Sequence, residues 1–221
     1  RDILPRPDQL VAPFLKEWAS GALWQHLSAT LVRVVWAFIF AMLLGTCLGY
    51  VMGRFDKVNQ WLDPWLVLFL NLPALVLIVL CYLWVGLNET AAILAVTLNK
   101  VPNVAVIVRE GARARSQELA DLGHVFQVPI WLRLWHIEIP QLAPYLIAAG
   151  RGGLAIIWKI VLVVELLGRS NGVGFQIHLF FQLFDVAMVL VYAFSFIVVM
   201  LVFEWLVLQP LERHISRWRS V

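Results

Sequence analysis

The sequence predicts an all-α integral membrane protein, a polytopic bundle of helices that crosses the bilayer five times. The first observation is composition: 62% of the 221 residues are hydrophobic, only 14% are charged, and the mean hydropathy is +0.83. A soluble domain keeps roughly a quarter of its residues charged, so lipid must cover much of this apolar surface. The second observation is that five apolar segments reach the length of about 20 residues that a helix needs to span a bilayer.

Each of these segments is a mostly apolar run bounded by polar residues. The predicted spans are residues 29–53, 65–85, 90–108, 143–167 and 186–208. Ahead of them, residues 9–27 predict an interfacial helix, because Leu10, Phe14, Trp18 and Leu23 share one apolar side.

Proline and glycine predict where the spans bend and pack. Pro73 lies inside the second span and Pro102 inside the third, and each removes a helix hydrogen bond and favours a kink. In the fourth span, Ala149, Gly150 and Gly153 leave little side-chain bulk. Small residues allow helix backbones to approach closely in lipid, so this span is expected to pack against other helices or a second subunit.

The distribution of basic residues predicts the orientation in the membrane. One set of connecting segments, with the C-terminal tail, carries Arg54, Lys57, Arg109, Arg113, Arg115, Arg133, Arg213, Arg217 and Arg219. The other set carries only Arg1, Arg6, Lys16 and Arg169. Because short loops rich in lysine and arginine stay in the cytoplasm, the C-terminus is predicted to be cytoplasmic and Arg1 to lie outside.

Charged residues inside the spans are the candidate lining of a translocation pathway. Lys100, Arg151 and Lys159 fall within spans, and Glu165 and Arg33 lie nearer to span ends. A charge in lipid costs about 2.5–3.5 kcal/mol on insertion scales, so such residues usually face protein or water. The predicted pathway residues are Lys100, Arg151, Lys159 and Glu165, and the cations favour an anionic solute. A structural alternative stays open, in which Glu165 pairs with Arg151 or Lys159 and Arg33 reaches the outer interface.

The segment between the third and fourth spans, residues 109–140, is too long and too patterned for a simple connector. Leu119, Leu122 and Phe126 recur at spacings of three and four residues, which predicts one apolar face of a short helix. Pro129 ends that helix, and a second short helix follows. An exposed amphipathic helix needs a protein partner or the membrane surface, and the pattern alone does not choose between them.

This segment resembles the loop of ABC importer permeases that has the pattern E-A-A-x-x-x-G, nine further residues, then I-x-L-P. Ile137, Ile139 and Pro140 match the end of the pattern in register. At its beginning the residues that stand for E, A, A and G are Asp121, Leu122, Gly123 and Gln127. In that family the loop is the coupling helix, which docks into a cleft of the cytoplasmic ATPase.

The resemblance extends over about 200 residues and is closest to the permeases of nitrate, sulfonate and taurine-type importers. Residues 83–89, Leu-Trp-Val-Gly-Leu-Asn-Glu, resemble the family's L-W-F-G-I-G-E. Other positions that match in order and spacing are Trp131, His136, Arg151, Trp158, Glu165, Gly168, Gly172 and Gly174. The implied fold is the type I ABC importer permease fold.

The resemblance also implies how the chain is divided. Residues 1–28 are expected to be a periplasmic segment with its interfacial helix. Residues 29–208 are the transmembrane permease domain, which includes the coupling loop 109–140, and residues 209–221 are a cytoplasmic tail. The family normally has a sixth, N-terminal span, which is expected to be missing ahead of residue 1. The implied location is the bacterial inner (plasma) membrane, with several crossings.

The function implied by the resemblance is that of the transmembrane subunit of an ATP-driven importer. It would form the pathway for a small anionic solute such as nitrate, a sulfonate or taurine, and residues 118–140 would couple it to the ATPase. The implied coupling residues are Glu118, Leu119, Asp121, Leu122, Gly123, Phe126, Gln127, Ile137 and Pro140. The sequence has no G-x-x-x-x-G-K-[ST] stretch to hold nucleotide phosphates. The chain is therefore not expected to be an enzyme or to hold a cofactor, and ATP and Mg²⁺ would be bound by the partner ATPase.

The implied partners are two copies of the cytoplasmic ABC ATPase, a second permease subunit, a periplasmic solute-binding protein and membrane lipid. The second permease subunit would form a homodimer, or a heterodimer with a more typical relative.

The net charge of +3 is too small to argue for nucleic acid, and the sequence shows no metal-ligand cluster or catalytic constellation. The main alternative is an ATP-independent secondary transporter or channel, which would predict inverted repeats, and no internal repeat is found.

Overall fold

The computed structural model describes residues 5–115 and 126–210, and the regular structure in both ranges is helical. The helices are α1 (Pro7–Ser20), α2 (Ala22–Arg54), α3 (Asp56–Asn71), α4 (Ala74–Val85), α5 (Glu89–Arg113), α6 (Ile130–Arg133), α7 (Ile139–Gly168), α8 (Val173–Gln182) and α9 (Val186–Phe203). Two π-helical turns join this pattern, Leu134–Glu138 between α6 and α7 and Glu204–Leu208 after α9. Helices satisfy their backbone groups internally, as lipid requires. The predicted all-α fold class is confirmed.

Four helical stretches are long and apolar enough to cross a membrane. They are Ala22–Arg54, Glu89–Arg113, Trp131–Gly168 and Val186–Leu206, and they correspond to the predicted first, third, fourth and fifth spans. A fifth crossing is present if α3 and α4 are counted as one broken span, since the two pass the same test together. The polytopic membrane architecture is therefore confirmed.

The predicted second span, residues 65–85, is wrong as a single kinked helix. α3 ends at Asn71, Leu72 has an extended backbone with φ −68° and ψ 126°, and Pro73 precedes α4 with φ −60° and ψ 132°. The residue before a proline is disfavoured in the helical region, so two successive residues leave that region. The chain consequently turns by 101° between α3 and α4.

The predicted interfacial helix at residues 9–27 is shorter than expected. α1 ends at Ser20, and Gly21 follows with φ 77°, a left-handed conformation that glycine adopts readily. Leu23 therefore belongs to α2, where it is buried, and not to the apolar side of α1. The first spanning helix begins seven residues earlier than the predicted position 29, at Ala22.

The most extensive contact between two helices lies between α2 and α5. A Cβ atom at Gly45 would lie 2.5 Å from Val104 Cβ, and a Cβ atom at Gly49 would lie 2.4 Å from the backbone oxygen of Ala105. Gly53, one further turn along α2, meets α5 in the same way. Glycines at intervals of four residues bring two helix backbones into direct contact. The sequence prediction placed close packing in the fourth span, and there a Cβ atom at Gly153 would lie 2.9 Å from Lys100 Cε, whereas Gly150 and Gly152 have room around them.

α5 and α7 run antiparallel, and they define two ends of the bundle. Gly111 near the end of α5 packs against Tyr145 near the beginning of α7. We call this the loop end, because residues 114–129 connect the two helices there. The opposite end, where α5 begins and α7 ends, is called the distal end.

Candidate functional site

At the distal end, Arg33 of α2 is the centre of a buried charge network. Its side chain is 3% exposed, and its Nη1 donates to Glu165 Oε1 at 2.5 Å. Nε and Nη2 donate to the two oxygens of Glu89 at 2.8 and 2.6 Å. Asn171 accepts further hydrogen bonds through its backbone oxygen, at 3.0 Å, and its side-chain oxygen. One guanidinium, whose planar fork suits carboxylates, thus joins α2, α5 and α7.

Glu165 is fully buried and accepts hydrogen bonds from three sources. Besides Arg33, the hydroxyl of Thr30 donates to its Oε2 at 3.0 Å and the backbone N–H of Gly174 donates at 2.8 Å. The N–H of Val173 donates in turn to the Thr30 oxygen at 2.9 Å. A buried carboxylate is tolerated when it is paired and hydrogen-bonded in this way. Glu165 therefore holds α2, α7 and the start of α8 together.

Glycines from the end of α7 to the start of α8 give the backbone room to wrap around this carboxylate. Gly172 has φ 107°, and a Cβ atom there would lie 2.3 Å from Glu165 Cδ. A Cβ atom at Gly174 would lie 2.3 Å from the backbone oxygen of Leu162. At Gly168 a Cβ atom would meet the ring of Tyr82 at 2.5 Å. These glycines lie at positions on which the family resemblance depends, and the structure supplies the steric reason for them.

Arg33 is buried, and it is the cation that pairs with Glu165. The sequence-based alternative gave Glu165 a partner in Arg151 or Lys159 instead. The sequence identified both Arg33 and Glu165 as intramembrane charges near span ends. It gave no signal that they meet, since 132 residues separate them along the chain.

Lys100 lies halfway along α5 and is only 2% exposed. Its Cε packs over Gly153 of α7, where an added Cβ atom would come within 2.9 Å. Within residues 5–115 and 126–210, its ammonium group makes no hydrogen bond or ion pair. One turn earlier on α5, the hydroxyl of Thr97 is also buried without a hydrogen-bond partner. An intramembrane cation of this kind costs about 2.5–3.5 kcal/mol on insertion scales, so a buried lysine at this depth is a candidate functional group.

The other two predicted pathway cations lie on a different surface. Arg151 and Lys159 are both on the exposed side of α7, together with Gly152 and Ala155. Arg151 and Lys159 are eight residues apart, which corresponds to about 12 Å along a helix. The structure therefore does not bring the four predicted pathway residues into one cluster. It places two cations on an outer face, one in the helix interface and Glu165 in the distal network.

At the loop end, Glu138 connects the segment 109–140 to α2. Its side chain is buried and accepts a hydrogen bond from the hydroxyl of Tyr50. Arg115, at the start of the connecting segment, lies 3.8 Å from Glu138 Oε2, and Arg133 lies 3.5 Å from its Oε1. Both flanks of the segment thus converge on one carboxylate. The sequence prediction missed Glu138 and Tyr50, which are 88 residues apart.

Several predicted coupling residues lie outside the described residues, namely Glu118, Leu119, Asp121, Leu122 and Gly123. Of the others, Phe126 is 74% exposed. Gln127, at the position of the family's glycine, has φ 49°, a left-handed backbone conformation that favours glycine. Ile137 is half-buried and Pro140 is exposed. An exposed phenylalanine beside a turn offers apolar surface to a partner.

The described side chains carry charges that can bind an anion and hydrogen bonds that can hold helices together. No group of three histidine, cysteine, aspartate or glutamate side chains in the described ranges is placed to hold a metal ion. The cations of α5 and α7 can attract an anion, and the networks at the two ends can fix helices relative to one another.

Comparison with known proteins identifies the family. The taurine transport system permease protein TauC of Escherichia coli is 27% identical over 98% of this chain and 80% of its own length. An aliphatic sulfonates transport permease protein, SsuC of Bacillus subtilis, is 29% identical over 79% of this chain and 63% of its own length. The crystal structure of an amino acid ABC transporter matches with a TM-score of 0.71 and 19% identity, over 91% of this chain and 98% of that one, and supports the fold. The model of the family described as the binding-protein-dependent transport system inner membrane component matches residues 41–210. This chain belongs to that family of multi-pass membrane permeases.

Proposed function

We propose that this chain is the transmembrane subunit of an ATP-driven ABC importer and forms the pathway for a small anionic solute, such as a sulfonate, taurine or nitrate. The observation that carries the proposal is the family match over residues 41–210. The solute class is supported by the solutes for which the relatives TauC and SsuC are named, taurine and aliphatic sulfonates. It is also supported by Lys100, Arg151 and Lys159, since cations within spans usually face protein or water and mark a pathway.

The pathway in this proposal follows the exposed face of α7. Arg151 and Lys159 face a second permease subunit, which is most simply an identical copy, and Lys100 lies behind them between α5 and α7. Glu165 contributes by fixing α7 to α2 at the distal end through Arg33. Two subunits related by symmetry would each supply this face. Alternating access then corresponds to a rigid-body movement of one face relative to the other.

In this proposal a separate chain supplies the energy for transport. Two ATPase subunits in the cytoplasm bind ATP and Mg²⁺, and each docks on residues 118–140 of one permease subunit. Phe126 is one of the exposed apolar residues in the described part of that loop, together with Trp131 and Trp135. A periplasmic solute-binding protein delivers the solute at the distal end, and the C-terminus lies in the cytoplasm at the loop end. The complex lies in the bacterial inner membrane.

The experiment that tests this function is purification of the tagged chain from its own cells in mild detergent, followed by identification of the proteins that accompany it. A stoichiometric ABC ATPase is expected. Changing Leu122 and Phe126 to Asp is expected to remove it, because two charges replace apolar contacts. The control is Phe184→Asp, the same change at an exposed phenylalanine between α8 and α9, which should leave the ATPase bound. A stable complex without an ATPase would instead support an ATP-independent transporter or channel.

A prediction about coupling follows from the Glu138 contacts. Tyr50→Phe removes a hydrogen bond to a buried carboxylate, which is worth about 1.5–3 kcal/mol when one partner is charged. The loop should then move without fully moving α2. We expect the reconstituted complex to keep most of its ATP hydrolysis while the solute transported per ATP falls several-fold.

The matched control for this prediction is Tyr145→Phe. Tyr145 packs its ring against Gly111 of α5 at the same end of the bundle, and the change preserves that ring. Transport per ATP should stay at the wild-type ratio in this variant. If Tyr50→Phe also keeps the wild-type ratio, the contact between Tyr50 and Glu138 plays no part in coupling.

A further inference from the structure

A buried pair of hydrogen-bond donors lies at the middle of the spanning region. Lys100 is the twelfth of the 25 residues of α5, so it lies about 16 Å along the helix axis from Glu89, the first residue of α5. Thr97 precedes it by one turn, and both side chains are at least 97% buried. The buried Thr97 hydroxyl has no hydrogen-bond partner, and within the described residues the Lys100 ammonium makes no hydrogen bond or ion pair. A pair of unused donors at this depth requires an acceptor.

The two buried carboxylates of the described residues are too distant to accept from this pair. Glu165 lies 12 residues from Gly153 along α7, about 18 Å, and it is already engaged by Arg33. Glu138 lies 15 residues from Gly153 in the other direction, about 22 Å, and it is engaged by Tyr50 and two arginines. Lipid headgroups cannot reach the middle of the bilayer, whereas a molecule that enters between the spans can.

The chemistry of the two donors defines the molecule. An ammonium group offers three donors and a full positive charge, and the hydroxyl offers a fourth donor beside it. A group with several acceptor oxygens and one negative charge matches this set, because charge-assisted hydrogen bonds to oxyanions are the strong ones. Gly153 leaves the opposite wall without a side chain, and an added Cβ atom would displace Lys100.

We propose that Lys100 and Thr97 form an oxyanion-binding site between α5 and α7, one in each copy of the chain, that takes a sulfonate, a carboxylate or nitrate during its passage. This inference rests on the proposed function, because it assigns the position at which the anionic solute is held. Substrate sites at the bilayer midplane between helices recur among transporters. The site differs from the α7 face of Arg151 and Lys159 in being closed off from the lipid.

The experiment measures equilibrium binding of radiolabelled ethanesulfonate to the complex purified through a tag on this chain. The variants are Lys100→Met and Thr97→Val, which keep the side-chain shape and remove the donors. Lys100→Met is expected to weaken binding at least about tenfold, as for the loss of a charge-assisted contact, and Thr97→Val to weaken it less. Lys57→Met, the same change at an exposed lysine of α3, should bind as the wild type does. Neutral ethyl methyl sulfone should compete poorly.

The outcomes separate the site from the function. If Lys100→Met binds ethanesulfonate as tightly as the wild type, or if the wild type does not bind it, the oxyanion site is overturned. Each variant is first checked by size-exclusion chromatography, and removal of a buried charge should leave the complex at least as stable. If binding depends on Lys100 but no ATPase accompanies the chain, the site stands and the ATP-driven function fails.

Discussion

Replacing Arg33 by Met is expected to lower the free energy of unfolding by about 3–5 kcal/mol, because it leaves a buried carboxylate without its cation. Glu165 has no exposed surface and would keep only the bonds from Thr30 and Gly174. For a chain of this size the loss corresponds to a fall of about 6–20 °C in the unfolding midpoint. Thermal unfolding of the purified protein in detergent, followed by tryptophan fluorescence, measures it.

Two further variants test the cause. Arg113→Met removes an arginine from an exposed pair with Glu110, and such pairs contribute about 0–1 kcal/mol. Glu165→Gln combined with Arg33→Met removes the unpaired charge but keeps the hydrogen bonds, so it should be more stable than Arg33→Met alone. Equal losses for Arg33→Met and Arg113→Met would show that the distal network does not hold the bundle together.

Replacing Gly172 by Ala is also expected to lower the free energy of unfolding strongly. The left-handed backbone with φ 107° costs a non-glycine residue about 1–3 kcal/mol. The new Cβ atom would also lie 2.3 Å from the Glu165 carboxyl carbon and would push apart the network. Because the two costs act together, we expect a loss of about 3–5 kcal/mol in the free energy of unfolding.

The matched control for this substitution is Gly150→Ala. A Cβ atom there would meet the ring of Phe38 at 3.6 Å, an ordinary van der Waals distance. Alanine also favours a helix interior by about 1 kcal/mol over glycine, so this variant should be as stable as the wild type or slightly more stable. If Gly172→Ala unfolds at the same temperature as Gly150→Ala, the backbone at residue 172 does not need glycine.

The spans were predictable from sequence because a bilayer imposes length and hydropathy on each one separately. α5 and α7 therefore appear close to their predicted positions, and so does α9. The breaks were harder to predict. Pro73 gave a signal of bending, but an apolar sequence on both sides carries no information on whether the helix bends slightly or turns by 101°. Gly21 separates α1 from α2 through one positive φ value, which a helical pattern does not reveal.

The contacts of the candidate sites could be predicted only in part. Intramembrane charge is rare enough that Lys100, Arg33 and Glu165 were all recognised from sequence. Which of them pair is a property of the packing, and residues 132 positions apart leave no local pattern. Lys100 shows the same limit, since only the packing shows that Glu165 and Glu138 are bonded to other residues at the two ends of the bundle. The glycine contacts of α2 repeat every fourth residue, at Gly45, Gly49 and Gly53, and the sequence analysis did not identify them.

Those glycine contacts have a mechanical consequence. Where the backbones of two helices are in contact, the helices cannot slide or tilt independently without steric overlap. We therefore expect α2 and α5 to move as one rigid unit. One end of this rigid unit holds Arg33 and Glu89, and the other end lies beside Tyr50 and the connecting segment. A displacement of one end of this helix pair would therefore move the other end by the same amount. Any bending would then occur at the turn between α3 and α4 and in the helices outside the pair.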